Sequence, residues 1–496
     1  MVNAEDLSDA INDVNDDIIL EADKVRNRSG RPARRAVVIR LLAAAAAVVL
    51  LLGAGLFAAL KLNLIGGNES PKYAESDGIV YTDYAGPVFP LTVLEGAADV
   101  EAYRETIFDF SPYREGEASV FVTDSYRLDV RGEGKRRIRL RYPFSGSLQD
   151  NSGIVPTIFV NDNVVETDLK IVYTSADTQL DSWLKYKELL KDETADEPVT
   201  AQAVSEEPVE VYLFSEFSMP EEVDSTDLMV SISYDPLKTK VLTYGFTGIE
   251  HNKDSETVLL HAPVIQSDKA CLIVLGEGLK SYDVSLTDVN GEINHLNASK
   301  AAVTTHENTM PFFDALTAAS AQYYDSIRQD DAEGQAEKLI SLLSDDAAIM
   351  LFTTAVLNSG SLQTQGDATD YQVIELESVY SSVFSSRHLF CVEFSLELQS
   401  DETVRILASM KKNASRNRQP ETGQKGSYEI DGYDLVPCLG SAIHFPTQKA
   451  VVKNTEQIEI IEQNFGFDLN NQITEVALDL TIEYYYMKIQ YTVTQR

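Results

Sequence analysis

The chain has 496 residues, with 78 acids against 41 bases and a net charge of −37. So acidic a surface argues against nucleic-acid binding, which needs a basic footprint. Three cysteines, Cys271, Cys391 and Cys438, without C-x-x-C spacing, do not make a disulfide framework.

In chain order, Leu7, Ile11, Val14, Ile18, Ala22 and Val25 recur at helical spacing. Residues 1–40 are therefore expected to hold an acidic amphipathic helix and a basic linker. An isolated helix this short is marginal in water, so its stripe needs a partner. The inner leaflet is anionic and suits an acidic helix poorly. A cytoplasmic protein with a basic surface suits it better, with Leu7, Ile11, Val14 and Ile18 as the contact residues. The alternative is a frayed tail.

Residues 41–60 form one uninterrupted apolar run without charge. A helix of about 20 residues, at ~1.5 Å rise, covers the ~30 Å of a bilayer core. Lys24, Arg26, Arg28, Arg31, Arg34, Arg35 and Arg40 precede it. The expectation is a single transmembrane helix in the cell membrane, with the N-terminus cytoplasmic and the rest extracytoplasmic. The competing reading is a cleaved signal peptide, whose apolar core is shorter, about 7–15 residues. The tail holds eight acids and seven bases, so nearly all the negative charge lies beyond the run.

Beyond residue 60 the pattern is mainly β with a helical section, a multi-domain ectodomain of β-sandwich-like modules behind the transmembrane helix. The first β domain is expected at 73–175. Tyr126, Leu128 and Val130 alternate with polar residues, and so do Ile138, Leu140 and Tyr142 after a Gly-containing loop. This reads as a hairpin with Asp129 opposite Arg137 and Arg127 opposite Arg139. Arg137, Arg139 and Arg141 then form a row. It reads either as a contact for an acidic cell-wall polymer such as a teichoic acid, or as a solvated face with cross-strand pairs. Further strands are expected at 154–160 and 164–173, joined by a turn at Asn161-Asp162-Asn163.

A short helix around Leu180, Trp183, Leu184 and Lys187 and an acidic linker fill 176–208. The second β domain is expected at 209–302, with strands at 229–234, 239–246, 257–262, 270–275 and 282–286. Asp288-Val289-Asn290-Gly291 resembles part of a calcium loop but lacks the closing Glu, and a turn is the better reading. The helical section, 303–360, begins near Pro311. Its stripes are Phe312, Leu316, Ala319, Tyr323 and Ile327, then Leu339, Leu342 and Leu343, then Ile349, Phe352, Thr353, Val356 and Leu357. The C-terminal β domain is expected at 361–496, with strands at 390–398 and 476–484. Between them 411–427 reads as a polar loop carrying Lys411, Lys412, Arg416, Arg418 and Lys425. It is a second candidate contact for wall polymer, or a surface loop.

Several catalytic signatures are missing: no H-E-x-x-H, G-x-S-x-G, P-loop or G-x-G-x-x-G. The six histidines have no metal-ligand spacing. No cofactor, metal or catalytic residue is assigned, and a hydrolase is the remote alternative.

Several segments carry a resemblance. They are the stretch from Ala10 to Ile19 before the arginines, Arg141-Tyr142-Pro143-Phe144, the run from Val241 to Phe246, and Gly432-Tyr433-Asp434-Leu435. The run from Gln463 to Asp468 and Tyr484-Tyr485-Tyr486 complete the set. Together they resemble an uncharacterised family of Gram-positive bacterial membrane-anchored ectodomain proteins. The N-terminal pattern is similar to predicted anti-sigma proteins, although this tail has no Cys and no His. The resemblance implies a sigma factor as one candidate cytoplasmic partner. The expected function is a single-pass, non-enzymatic extracytoplasmic binding or sensing protein. The alternative is a structural or adhesive surface protein contacting wall polymer.

Overall fold

The structure is a computed structural model. It describes residues 81–492 except 82, 97–99, 131–134, 173–179, 192–205, 219–225, 253–255, 265–268, 288–301, 331–336, 364–372, 400–401, 419–428 and 440–442. The tail helix, the apolar run, the calcium-like fragment at 288–291, Lys425 and most of the acidic linker lie outside the described residues. Among the described residues no helix is long and apolar enough to cross a membrane.

The described chain is mainly β. Strand Val100–Asp109 alternates buried and half-buried positions without a break. Its inward set is Val100, Ala102, Arg104, Thr106 and Phe108. Such a strand is paired on both sides and covered on one face. It lies third in a seven-stranded sheet ordered Glu475–Ala477, His444–Lys453, Val100–Asp109, Ser119–Val130, Thr403–Asn413, Thr157–Val160 and Asn163–Val164. Facing it is a four-stranded sheet ordered Thr92–Glu95, Arg136–Ser147, Arg387–Leu398 and Asp168–Ile171. Tyr126 and Leu128 of one sheet and Leu140, Tyr142 and Phe390 of the other share one core.

This corrects the expected hairpin. Ser119–Val130 and Arg136–Ser147 do not pair with each other; they enter opposite sheets. Arg137 lies opposite Glu397, and Asp129 lies opposite Thr403 and Glu101. Period-two patterning fixes which side chains point inward, and two strands facing across a sandwich satisfy it as well as two neighbours do. The segments 73–175 and 361–496, read as separate β regions, both contribute strands to each of these two sheets. Residues Ile79–Arg496 cluster as one compact unit.

The 209–302 segment forms most of a second sandwich. Its five-stranded sheet is Ala302–Pro311, Pro208–Ser218, Ala270–Gly276, Thr239–Tyr244 and Val373–Glu375; its four-stranded sheet is Gly248–Asn252, Thr257–Val264, Thr226–Ser233 and Ser281–Thr287. The unbroken apolar run from Ala270 to Val274 is buried throughout because both faces are covered. Leu272 and Val274 face the partner sheet, while Cys271 and Ile273 join the core that contains the helices. Helices Phe312–Asp330, Asp345–Leu357 and Leu376–Ser385 meet through Tyr323, Phe352 and Tyr380, whose ring centroids lie 5.2 to 5.5 Å apart. Helix Leu376–Ser385 was not expected.

Two further expectations at the C-terminal end are overturned. The run 476–484 alternates, yet the strand stops at Ala477. Asp479 Oδ1 accepts from the Thr481 backbone N–H at 2.9 Å and its hydroxyl at 2.7 Å, a local turn that competes with the ladder. The expected polar loop is strand as far as it is described: Lys411 and Lys412 end Thr403–Asn413, and Arg416 and Arg418 belong to Ser415–Arg418. The latter opens a small sheet with Glu429–Leu435, Tyr485–Tyr491 and Ile458–Gln463.

Inside the main sandwich the inward stripe is interrupted by charge. Arg104 Nε and Nη2 donate to the Asp124 carboxylate at 2.9 to 3.1 Å, with both side chains fully buried. Thr106, Tyr126 and Tyr142 donate their hydroxyls to the same carboxylate. Arg104 also donates to the carbonyls of Phe89 and Val436 at 3.1 and 2.7 Å. A buried ion pair survives when its remaining hydrogen-bonding positions are filled, and here they are. Asp124→Ala leaves the guanidinium buried without its counter-charge. The expected loss is about 3–5 kcal/mol, read from the urea midpoint of the full chain. Asp283→Ala, at an exposed strand position, should shift it by under about 0.5 kcal/mol.

Candidate functional site

The two cation sets named from sequence are largely engaged inside the molecule. Glu393, 4% exposed, accepts from Arg139 and, at 2.7 and 2.9 Å, from Arg141. Arg139 also lies 3.6 Å from Glu95. Arg137 is exposed beside Glu397, which pairs with Lys135. Lys411 pairs with Glu117. Lys412 takes the inward parity of its strand, after Val404, Ile406, Ala408 and Met410. It is buried and donates to the Ala85 carbonyl at 3.1 Å. Burial, with Arg387 nearby, brings its ammonium pKa down to about 7. Leu7, Ile11, Val14 and Ile18 lie outside the described residues. Three of the segments that carried the resemblance act as braces. The Tyr142 hydroxyl reaches Asp124, Gln463 Oε1 accepts from the backbone of Gly466 and Phe467, and Gly432 lies against Tyr81, where a Cβ would come within 1.9 Å of the hydroxyl.

What the structure brings together instead is a polar cleft at one end of the main sandwich. Its volume is about 370 Å³, and Asp83, Asp150, Arg387, Asn413 and Arg416 line it with Ser147, Gln149 and Ser385. Several come from the ends of elements. Arg387 opens strand Arg387–Leu398 opposite Ser147, the last residue of its neighbour. Asn413 closes Thr403–Asn413, and Arg416 follows in the next strand. Strand ends leave side chains free to converge, because no partner strand continues past them.

Arg387 organises the cleft. Its Nε and Nη2 grip Asp83 at 3.1 and 3.2 Å, and its Nη1 lies 3.4 Å from Asp150. Burial works against its charge, but the two carboxylates more than offset this and raise its pKa. Asp150 also accepts from the Ser147 N–H at 2.8 Å and the Asn413 amide at 3.2 Å. Asp83 and Arg416 exchange backbone hydrogen bonds at 3.2 and 2.8 Å, and the Arg416 side chain lies 3.9 Å from Asp431. A narrow crevice of about 10 Å³ adjoins, walled by Arg387, Asn413, Lys412 and Ser145 among others. That is room for about one water.

Two other places offer less. A groove of about 720 Å³ runs between strand Asp168–Ile171 and the start of helix Asp345–Leu357. Its only charged lining residues, Asp168 and Lys170, pair with each other at 2.7 Å. Glu377 is the second. It is tucked among Tyr244, Tyr323, Tyr380 and Cys271, with Gly245 N–H donating to one oxygen and no partner for the other among the described residues. Among the described residues no cluster of His, Cys, Asp and Glu is arranged to hold a metal ion, and the three cysteines form no disulfide with one another.

Of the charged cleft residues, only Arg416 was named from sequence. Asp83, Asp150, Arg387 and Asn413 lie in four distant segments, and none has a local motif.

Glu377 gives a pH dependence. Burial raises its carboxyl pKa from 4.5 to about 7, so the folded state holds this proton more tightly than the unfolded chain. The stabilisation is complete below pH about 4.5 and is lost as pH rises through about 7. Glu377→Gln should exceed the wild-type chain in stability at pH 8 by about 1–3 kcal/mol and match it closely at pH 5, by urea denaturation at both values. Lys412→Met should raise the pH 7 midpoint as well, because it removes an amine that burial disfavours as a cation. No known protein family matches the chain, and no curated protein or solved structure is similar to it.

Proposed function

We propose that the chain is a single-pass, membrane-anchored extracytoplasmic binding protein. Residues 41–60 span the bilayer, and the β-rich unit beyond them holds the ligand site. The stripe Leu7, Ile11, Val14 and Ile18 packs on a basic cytoplasmic partner, with a sigma factor as one candidate, and reports the state of the outer unit. The observation that carries the binding reading is the cleft around Arg387. It is a concave site, within the size range of small-ligand pockets, in which several polar groups from distant segments converge. The apolar run and its upstream arginines support the topology.

The second reading is a structural or adhesive surface protein contacting wall polymer. It rests on Arg137, Arg139 and Arg141, and on Lys411 and Lys412. It stands second because Glu393 occupies two of those arginines, Glu117 holds Lys411, and Lys412 is buried.

Tagged full-length chain in intact cells tests the topology. Protease added outside should remove a C-terminal tag and spare an N-terminal one. A chain recovered in the medium and trimmed beyond residue 60 would end this reading. Replacing Ile11 and Ile18 with Asp should abolish cross-linking to the cytoplasmic partner without changing the protease pattern.

A further inference from the structure

Asp83 stands twenty-three residues beyond the last residue of the apolar run, and it is a wall of the cleft. The stem that leads away from the run therefore contributes directly to the candidate ligand site. Beyond Asp83 it is laced to the body of the unit. Ala85 N–H donates to Ser415 Oγ at 2.9 Å, and Lys412 Nζ donates to the Ala85 carbonyl. Val88 exchanges backbone hydrogen bonds with Asp434 and Val436 at 2.8 and 3.0 Å. Asp83 is the one of these attachments shared with the cleft. Its side chain is 52% exposed, so one face of the carboxylate remains open to a ligand.

The cleft's chemistry narrows the ligand. Arg387 and Arg416 are matched by Asp83 and Asp150, so the lining carries no excess charge. An anion gains no net attraction there, and the −37 charge of the chain repels it from a distance. Guanidinium donors stand beside carboxylate acceptors, with the amides of Asn413 and Gln149 and the hydroxyls of Ser147 and Ser385 around them. A pair of neighbouring hydroxyls both donates and accepts, and so fits adjacent donor and acceptor groups. We infer that the cleft is a site for a neutral saccharide, and that a sugar bridging Asp83 and Arg387 clamps residues 83–88 onto the sandwich. This deepens the binding function proposed above and rests on it. Occupancy thereby adds contacts to residues 83–88, so the filled and empty clefts differ in how firmly this segment is held.

The test uses the full chain in a detergent without a sugar head group. The probes are the N-acetylglucosamine disaccharide, maltose and inorganic phosphate, titrated calorimetrically. At least one disaccharide should bind, and phosphate should not. The rim variant Gln149→Ala with Ser385→Ala, both at exposed positions, should weaken that binding about tenfold while leaving circular dichroism unchanged. At saturation, hydrogen exchange at residues 83–88 should slow about tenfold, and in Asp83→Asn this slowing should disappear. Failure of both disaccharides to bind, binding of phosphate alone, or binding with unchanged exchange in the stem overturns the inference. None of these outcomes bears on the protease pattern, so the membrane topology stands or falls separately.

Discussion

The Arg104–Asp124 pair is the constraint around which the main sandwich is assembled. Five segments end on it: strand Val100–Asp109 through Arg104 and Thr106, Ser119–Val130 through Asp124 and Tyr126, and the facing sheet through Tyr142. The stem arrives through Phe89 and Leu91, whose N–H donates to the Tyr126 hydroxyl, and the C-terminal region arrives through Val436. An apolar core of the same volume would be at least as stable, since burying two charges costs solvation that their attraction only partly returns. What the pair adds is selectivity of arrangement. A register slip in either strand would move a charge to the wrong face or leave it without its partners.

Where a local physical signal was strong, the sequence was readable. All five strands expected within 209–302 are present, and the stripe from Phe312 to Ile327 lies on helix Phe312–Asp330. Asn161 and Asp162 both adopt positive φ, 48° and 66°, as a tight two-residue hairpin turn demands. Pairing was not readable. Tyr126 and Tyr142 carry the same alternation whether their strands are neighbours or face each other. Lys412 read as part of a polar loop because its neighbours Lys411 and Asn413 are polar, yet parity from Val404 onward places it inside. The cleft was the least visible feature. Its arginine and its acids acquire meaning only when the strand ends meet, and an isolated Arg387 or Asp150 has no signature that separates it from surface charge.

The same long-range weaving explains why the acidic surface is compatible with a charge-balanced site. Several inward carboxylates sit beside a cation or an amide donor: Asp124 with Arg104, Glu393 with two arginines, Asp150 with Arg387 and Asn413. Lys412 and Arg387 share the end of the sandwich, and the amine pKa of Lys412 is lowered first by its burial and then by the neighbouring guanidinium. The cleft and the buried lysine thus belong to one electrostatic arrangement, with Arg387 as the common member.

One pairing has a further consequence for how the molecule is made. Strand Val100–Asp109 lies parallel to His444–Lys453, more than three hundred positions later in the chain. A ribosome releases the early strand long before the late one exists, and domains acquire structure in order of synthesis. Until residues 444–453 appear, the edge of Val100–Asp109 has no neighbour and Arg104 lacks the Val436 carbonyl. Closing so distant a loop makes assembly slow. The main sandwich therefore cannot be completed until residues 444–453 have been joined, and its two partner strands must find each other across everything synthesised between them.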